Sequence, residues 1–263
     1  METMATATQV NKMIEPSLRK QLEGLQKYAH EKTHHKVVEI FSPMSRGKLL
    51  EMPTGSGALA WRLHELGFEV VPADLYPESF QVPFLKCSYV DLNAEFSFGD
   101  SEFDYVCCVE GIEHLEDHFH FVRQCRRVLR KGGKLVITTP NILNIASRLK
   151  YLLSGFWSLV PRPINEFSSN PVDDHINPLT YFQLRYMLHT NGFKIREVTT
   201  DLRRRSGWAL MFLYPFVRWN MKRTMRKETD PQQIAANKEI RQVMGSLDIF
   251  LGRTLVVVAE RTS

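Results

Sequence analysis

No run of about 18 apolar residues occurs in the 263-residue chain, so nothing in it reads as a membrane-spanning helix. The opening METMATATQVNKMIEP has no apolar core of a secretory signal. Cysteine is scarce: Cys87, Cys107, Cys108 and Cys125 are the only four, and their spacing matches neither a metal site nor a redox pair. They read as small, reduced core residues, which suits a cytoplasmic protein. Internal repeats and low-complexity blocks are missing. A large excess of one charge is missing too, because the net value is +5. With hydrophobic residues at 43% and charged residues at 24%, wholesale disorder and fibrous repeats are excluded. What charge there is lies unevenly. Residues after 200 hold 12 Lys+Arg against 6 Asp+Glu, whereas those before hold 22 against 23. That pattern argues against a nucleic-acid coat protein and for one localised basic surface with an anionic partner.

What is present is a regular alternation of elements. Apolar residues at helical spacing over 12–42 predict one or two helices, ended by Ser42-Pro43. Gly47–Met52 reads as a strand, Thr54-Gly55-Ser56-Gly57 as a turn, 58–66 as an amphipathic helix ended by Gly67, and 68–74 as a second strand. Strand, glycine turn, helix and strand within about 30 residues make a βαβ unit, hence a parallel sheet with helices on both faces. Further strands are expected at 84–90, 103–109, 134–138, 193–199 and 253–260, with helices at 117–130 and 179–190. Lys131-Gly132-Gly133 is expected to cap the former helix. The domain organisation follows: an N-terminal helical extension over 1–45, then one α/β domain over 46–263 carrying inserts at 142–178 and 201–247.

The glycine turn admits two readings. Gly55-x-Gly57-x-x-Ala60 fits the dinucleotide fingerprint, and Asp74 sits 19 residues past Gly55, where an acid grips ribose hydroxyls. Glu51 argues against NAD, because an acid four residues before Gly55 repels a pyrophosphate and suits a ligand bearing an ammonium group.

The ordered set Leu50–Gly57, Asp74, Asp91-Leu92-Asn93, Phe103–Val106, Glu110-Gly111-Ile112-Glu113-His114-Leu115, Arg127–Gly133, Thr139-Pro140-Asn141 and His175-Ile176-Asn177 resembles the class I S-adenosylmethionine-dependent methyltransferases. The resemblance runs over about residues 35–200 plus the last strand, and departs at Pro53, where the commonest loop of the family has a glycine. It implies a Rossmann-like, seven-stranded, mostly parallel sheet whose last strand is antiparallel, with S-adenosylmethionine as co-substrate. It also implies roles. Glu51 faces the methionine amino end, and Thr54, Gly55 and Gly57 form the loop beside the methionyl part. Asp74 holds the ribose, Asp91 accepts from the adenine amino group, and Leu92 packs on the ring.

Methyl transfer needs a placed nucleophile and a group to take its proton. The loop after the 103–109 strand supplies Glu110, Glu113 and His114, with His118 and His120 farther on. His114 is the first candidate for general base, with Glu110 beside it, since an ordinary imidazole accepts a proton at neutral pH. A second arrangement stays open. Glu-x-x-Glu-His followed by a later histidine resembles the ligand set of metal-assisted O-methyltransferases, which would place a divalent ion on Glu110, Glu113, His114 and His175.

The inserts are expected to choose the acceptor. Residues 207–219 (GWALMFLYPFVRW) are dense in aromatics and bracketed by Arg203-Arg204-Arg205 and by Lys222, Arg223, Arg226 and Lys227. Two readings are open: a helical lid packed on the sheet, or a segment lying on an anionic membrane surface, joined by Phe156, Trp157, Leu159 and Val160. The second makes the protein peripheral on the inner membrane face. The leading function is O-methylation of a hydroxyl on a glycan, glycolipid or quinol-like acceptor, small or lipid-linked. The alternatives are an NAD-linked oxidoreductase and a non-catalytic binding protein on the same fold.

Overall fold

The computed structural model describes residues 15–159, 163–167 and 174–262. Lys48–Glu51 (β1), Glu69–Asp74 (β2), Ser88–Tyr89 (β3), Phe103–Val109 (β4), Leu129–Pro140 (β5), Phe193–Thr199 (β6) and Thr254–Arg261 (β7) form one sheet in the order β3-β2-β1-β4-β5-β7-β6. Strand β7 runs antiparallel to both of its neighbours, β5 and β6, and the other pairs are parallel. This is the α/β, Rossmann-like architecture expected from the sequence.

The central strands are apolar throughout because helices cover both faces. Side chains alternate between two cores. Leu50, Val106, Cys108, Leu135 and Ile137 face Phe121 and Val122 of His118–Val128 (α4) and Leu184 and Leu188 of Tyr181–Thr190 (α6). Leu49, Tyr105, Cys107 and Val136 face Val37 and Phe41 of Glu31–Phe41 (α2) and Leu59 and Leu63 of Ala58–Glu65 (α3). The adjacent Cys107 and Cys108 therefore serve opposite cores, and all four cysteines are free thiols.

The expected helical stretch over 12–42 becomes two helices, Pro16–Glu23 (α1) and α2, while its residues 12–14 lie outside the described set. Three expectations change. The 84–90 strand shrinks to two residues, because β3 is an edge strand pairing only Ala73 and Asp74 of β2. The 131–133 glycines do not cap α4. That helix ends at Val128 because Leu129 turns extended to pair with Phe103, and Gly132 (φ +78°) and Gly133 lie within β5. The insert between β6 and β7 is largely helical, as Arg205–Trp208 (α7), Tyr214–Met225 (α8), Pro231–Met244 (α9) and Leu247–Leu251 (α10). Of these, α9 carried a legible start signal, an Asp230 side chain accepting from Gln232 and Gln233 N–H ahead of Pro231. Ile145–Ser154 (α5) follows β5 and begins the earlier insert.

Candidate functional site

Strands β1 and β4 are neighbours whose crossovers leave in opposite directions, to β2 and to β5, so the crevice at their C-terminal ends is open to a ligand. A cleft of about 960 Å³ lies there, walled by the β1–α3 turn, the loops after β2, β3 and β4, the earlier insert and the N-terminal segment.

On one side stand the residues assigned to a cofactor, and the cleft brings Glu51, Thr54, Gly55, Asp74, Asp91 and Leu92 together. Glu51 ends β1 at 2% exposure, and its Oε2 has no hydrogen-bond partner. Burial, reinforced by the nearby Asp74 charge, pushes its carboxyl up to about 8. The buried Thr54 side chain lies close enough to the Glu51 carboxyl to oppose that rise. A buried oxygen without a partner, as Glu51 Oε2 is, calls for a polar or cationic ligand, and a methionine ammonium meets that need. Asp74 is fixed by two backbone donors: Gly55 N–H gives to Oδ2 at 2.8 Å and Tyr76 N–H to Oδ1 at 2.9 Å. Each oxygen keeps a further lone pair for a ribose hydroxyl. Asp91 Oδ1 accepts from Asn93 N–H at 2.8 Å, which fixes the loop that carries Leu92. Gly57 takes φ +89°, and a Cβ there would stand 2.5 Å from the Phe80 ring. Pro53, the departure from the family loop, packs against Gly111, where a Cβ would fall 2.5 Å from the proline ring. The residues present fit S-adenosylmethionine.

On the other side, Glu110 adopts φ +49° directly after β4. Its N–H donates to Thr138 Oγ1 at 3.0 Å, and that hydroxyl donates to Glu110 Oε1 at 3.2 Å. Burial raises its carboxyl, and the Arg253 guanidinium opposes that rise. Glu113 is fully buried. Its Oε2 accepts from Thr139 Oγ1 at 3.0 Å, while Oε1 lacks a hydrogen bond and lies 3.9 Å from His175 Nε2. Burial, with the Glu110 charge adding, raises Glu113 far above the carboxylate range. The His114 and His175 rings meet edge to face at 4.8 Å. Burial lowers His175 and keeps its imidazole neutral. His114 Nδ1 sits 3.0 Å from the Asp174 carbonyl oxygen. A carbonyl only accepts, so Nδ1 carries the proton and Nε2 is the basic nitrogen.

Glu113, His114 and His175 each offer a donor atom within 4.8 Å of the others, a set suited to a divalent ion. Glu110, the fourth residue of the expected ligand set, stands outside that group, and its carboxyl accepts instead from Thr138 Oγ1. His118 is also separated, lining a different groove of about 690 Å³ between α4, α6 and α9.

The sequence missed several cleft residues, Gln26, Tyr28, His34 and Arg253 among them. Gln26, Tyr28 and His34 come from the N-terminal segment, with the Tyr28 ring against Gly55 and the Gln26 carbonyl accepting from Ser56 Oγ. Arg253 precedes β7 and donates to the buried Asp201 at 3.0 Å and to Thr33 at 3.3 Å. Nothing in the local sequence marked any of them. The earlier insert contributes Leu159 and Ile164 as an apolar wall of the cleft. Its Trp157 stacks on Tyr151 at 3.9 Å. Val160, grouped with these residues in the sequence, lies outside the described residues.

A family model described as a methyltransferase domain matches residues 25–198. A ubiquinone biosynthesis O-methyltransferase of Xanthomonas oryzae is 34% identical over 110 residues, 37% of this chain and 45% of that protein. The protein of the same name from Cereibacter sphaeroides is 26% identical over 190 residues, 62% of this chain and 76% of its own. The chain thus spans about half the length of the first of these relatives. Among solved structures, a SAM-dependent methyltransferase from Archaeoglobus fulgidus superposes with TM-score 0.54 at 17% identity, over 87% of this chain and 92% of that one. Another from Mesorhizobium loti gives 0.52 at 16%, over 91% and 100%. These likenesses agree with the fold described above.

Proposed function

This chain belongs to the S-adenosylmethionine-dependent methyltransferase family, and we propose that it methylates a hydroxyl oxygen on a quinol-like small molecule. The observation that carries this reading is the meeting of His114, Glu113 and His175 at the cofactor cleft, beneath an apolar wall of Leu159 and Ile164. The names of the Xanthomonas and Cereibacter relatives point to the same acceptor chemistry.

S-adenosylmethionine, when bound, supplies a methyl group on a sulfonium, an electrophile that needs no further activation. Glu51 and Asp74 anchor its two ends from the glycine-loop side. His114 Nε2 takes the hydroxyl proton as the acceptor oxygen forms its bond to carbon, and the carbon–sulfur bond breaks to leave a neutral thioether. The Asp174 carbonyl keeps His114 in the tautomer this requires. Leu159 and Ile164 give the ring of the acceptor an apolar seat and exclude water. An acceptor carrying a hydrocarbon tail would bring the enzyme to a bilayer surface rather than bulk water.

A second reading is favoured by Glu113 Oε1, buried with no hydrogen bond, and by the donor atoms of Glu113, His114 and His175 lying within 4.8 Å of one another. These residues would hold a divalent ion, which supplies Lewis acidity that lowers the pKa of a hydroxyl. Incubation with labelled S-adenosylmethionine and a catechol-type quinol, with and without chelator, tests both. Transfer that survives chelator supports His114 as base alone, and transfer abolished by chelator and restored by Mg²⁺ or Zn²⁺ supports the metal. No transfer to any phenolic hydroxyl, with or without metal, overturns the proposal.

A further inference from the structure

The segment from α7 through α8 has two unlike faces. Inward, Leu210, Met211, Leu213, Tyr214 and Val217 pack against Ile145, Phe250 and Leu251, and Tyr214 Oη donates to the Gly245 carbonyl at 2.6 Å. The segment is therefore anchored. Outward, Trp208, Phe212, Phe216 and Trp219 are 51%, 74%, 61% and 55% exposed. Phe216 and Trp219 share a face of α8 with ring centroids 5.9 Å apart, and Trp208 of α7 and Phe212 of the short 3-10 turn before α8 precede them in the same exposed segment. Four large aromatics in one exposed stretch call for an occupant.

The charge beside the stripe says which one. Lys222, Arg223 and Arg226 continue the same helical face beyond Trp219, with Lys227 just past the helix end, and all four are exposed. Arg223 lies 5.7 Å over the Trp219 ring, and Arg218 sits exposed one position before Trp219. The Arg203–Arg205 cluster contributes less than its sequence suggests, because Arg203 is paired with Asp248 at 2.8 Å and Arg204 is half-buried. Arg205 alone of the three is exposed and pairs with no carboxylate among the described residues. No helix among the described residues is long and apolar enough to cross a membrane. We propose that this stripe is a docking surface for an anionic phospholipid bilayer, with the four aromatic rings at headgroup depth and the α8 cations on lipid phosphates. A protein partner or second copy would be expected to bury the apolar rings between matching apolar groups. Exposed indoles and phenyls leading into the four cations Lys222, Arg223, Arg226 and Lys227 match an interface whose own layers are apolar, then anionic.

The surface stands apart from the acceptor reading, because the stripe lies on the opposite side of its helix from the α10 contacts and includes no cleft residue. The test is co-sedimentation of the full chain with vesicles of phosphatidylcholine and phosphatidylglycerol, against vesicles of phosphatidylcholine alone. The expected result is binding to the anionic vesicles, a blue shift of tryptophan emission, and release as salt rises. Trp208→Ser with Trp219→Ser should weaken binding by about tenfold or more. The quadruple change of Lys222, Arg223, Arg226 and Lys227 to Gln should weaken it by about 100-fold at low salt. Both variants should keep wild-type affinity for S-adenosylhomocysteine and an unchanged melting curve, since the altered side chains are exposed. Wild type that ignores anionic vesicles, or variants that bind as tightly as wild type, overturns the proposal. So does a wild-type dimer in solution that the double variant converts to a monomer, since the stripe then belongs to a second copy.

Discussion

Replacing Glu51 by glutamine removes one proton-binding site from the cofactor cleft, and the structure says how large the consequence should be. At 2% exposure the carboxyl titrates near 8, against an ordinary value of 4.5. At pH 7 it is about nine-tenths protonated without ligand. A bound ammonium favours the carboxylate, so S-adenosylhomocysteine binding should expel about 0.9 proton at that pH. The fraction of carboxylate rises from about 1% at pH 6 to about half at pH 8, so affinity should climb about 50-fold across that interval. Calorimetry at pH 7 in buffers of different ionisation enthalpy reads the proton directly. Glu51→Gln should abolish this release and flatten the affinity profile, which separates Glu51 from the histidines of the cleft. Stability without ligand runs the other way. The folded-state value lies above the unfolded one, so this contribution is complete below about pH 4.5 and is lost as pH rises through 8, a fall of about 5 kcal/mol. A wild-type protein that binds S-adenosylhomocysteine with no proton release, or a Glu51→Gln variant that releases as much, would refute the assignment.

Asp74→Ala should weaken S-adenosylhomocysteine at least tenfold, by roughly 1.5–3 kcal/mol for each charge-assisted bond to ribose; unchanged affinity in isothermal titration removes Asp74 from the site. His114→Ala should abolish turnover while leaving S-adenosylhomocysteine affinity within about twofold, because its proton transfer belongs to the reacting state. Turnover retained at more than about a tenth of wild type counts against it as base. Gly57→Ala forces φ +89° on an alanine and sets a Cβ 2.5 Å from Phe80 and 2.7 Å from Val82. The expected cost is about 2–4 kcal/mol, read as a lowered Tm, and an unchanged Tm contradicts the packing described for the turn.

The sheet was legible because its strands announce themselves by composition. Phe103–Val109 is apolar at nearly every position since both faces are covered, and Lys48–Glu51 is followed at once by its glycine turn. The same holds for the cofactor side, whose Glu51, Gly55, Gly57 and Asp74 sit at spacings set by one strand–turn–helix–strand unit. The glycines alone fitted NAD equally well. What separates the readings physically is Glu51, a buried acid at the strand end whose Oε2 has no hydrogen-bond partner. Illegible parts depended on distant contacts. Leu129 leaves α4 for β5 only because Phe103 waits opposite, so the glycines after it looked like a helix cap. Arg253 reaches the cleft because Asp201, 52 residues earlier, is folded beside it. Glu110 stands outside the expected ligand set, and its carboxyl accepts from Thr138, on another strand. Residues 207–219 pack one face on Ile145, Phe250 and Leu251 and leave the other exposed, and a periodic pattern alone does not show how wide the packed face is.

The two ends of the second insert touch. Asp201 and Arg253 pair, Arg203 bridges Gly252, Arg204 N–H donates to Leu251 and Arg253 N–H to Leu202. The polypeptide between them leaves the sheet and returns through a single closed neck, whose Arg253 also lines the cleft. For a loop whose ends are already joined, doubling its length costs only about 0.6 kcal/mol of closure entropy. Closure entropy therefore sets little limit on the length of what hangs from this point. Its composition is limited instead by packing, because Ile240, Val243, Met244 and Ile249 join the main core. The residues of the cofactor cleft other than Arg253 lie outside this closed segment, so its exposed face can vary without altering them.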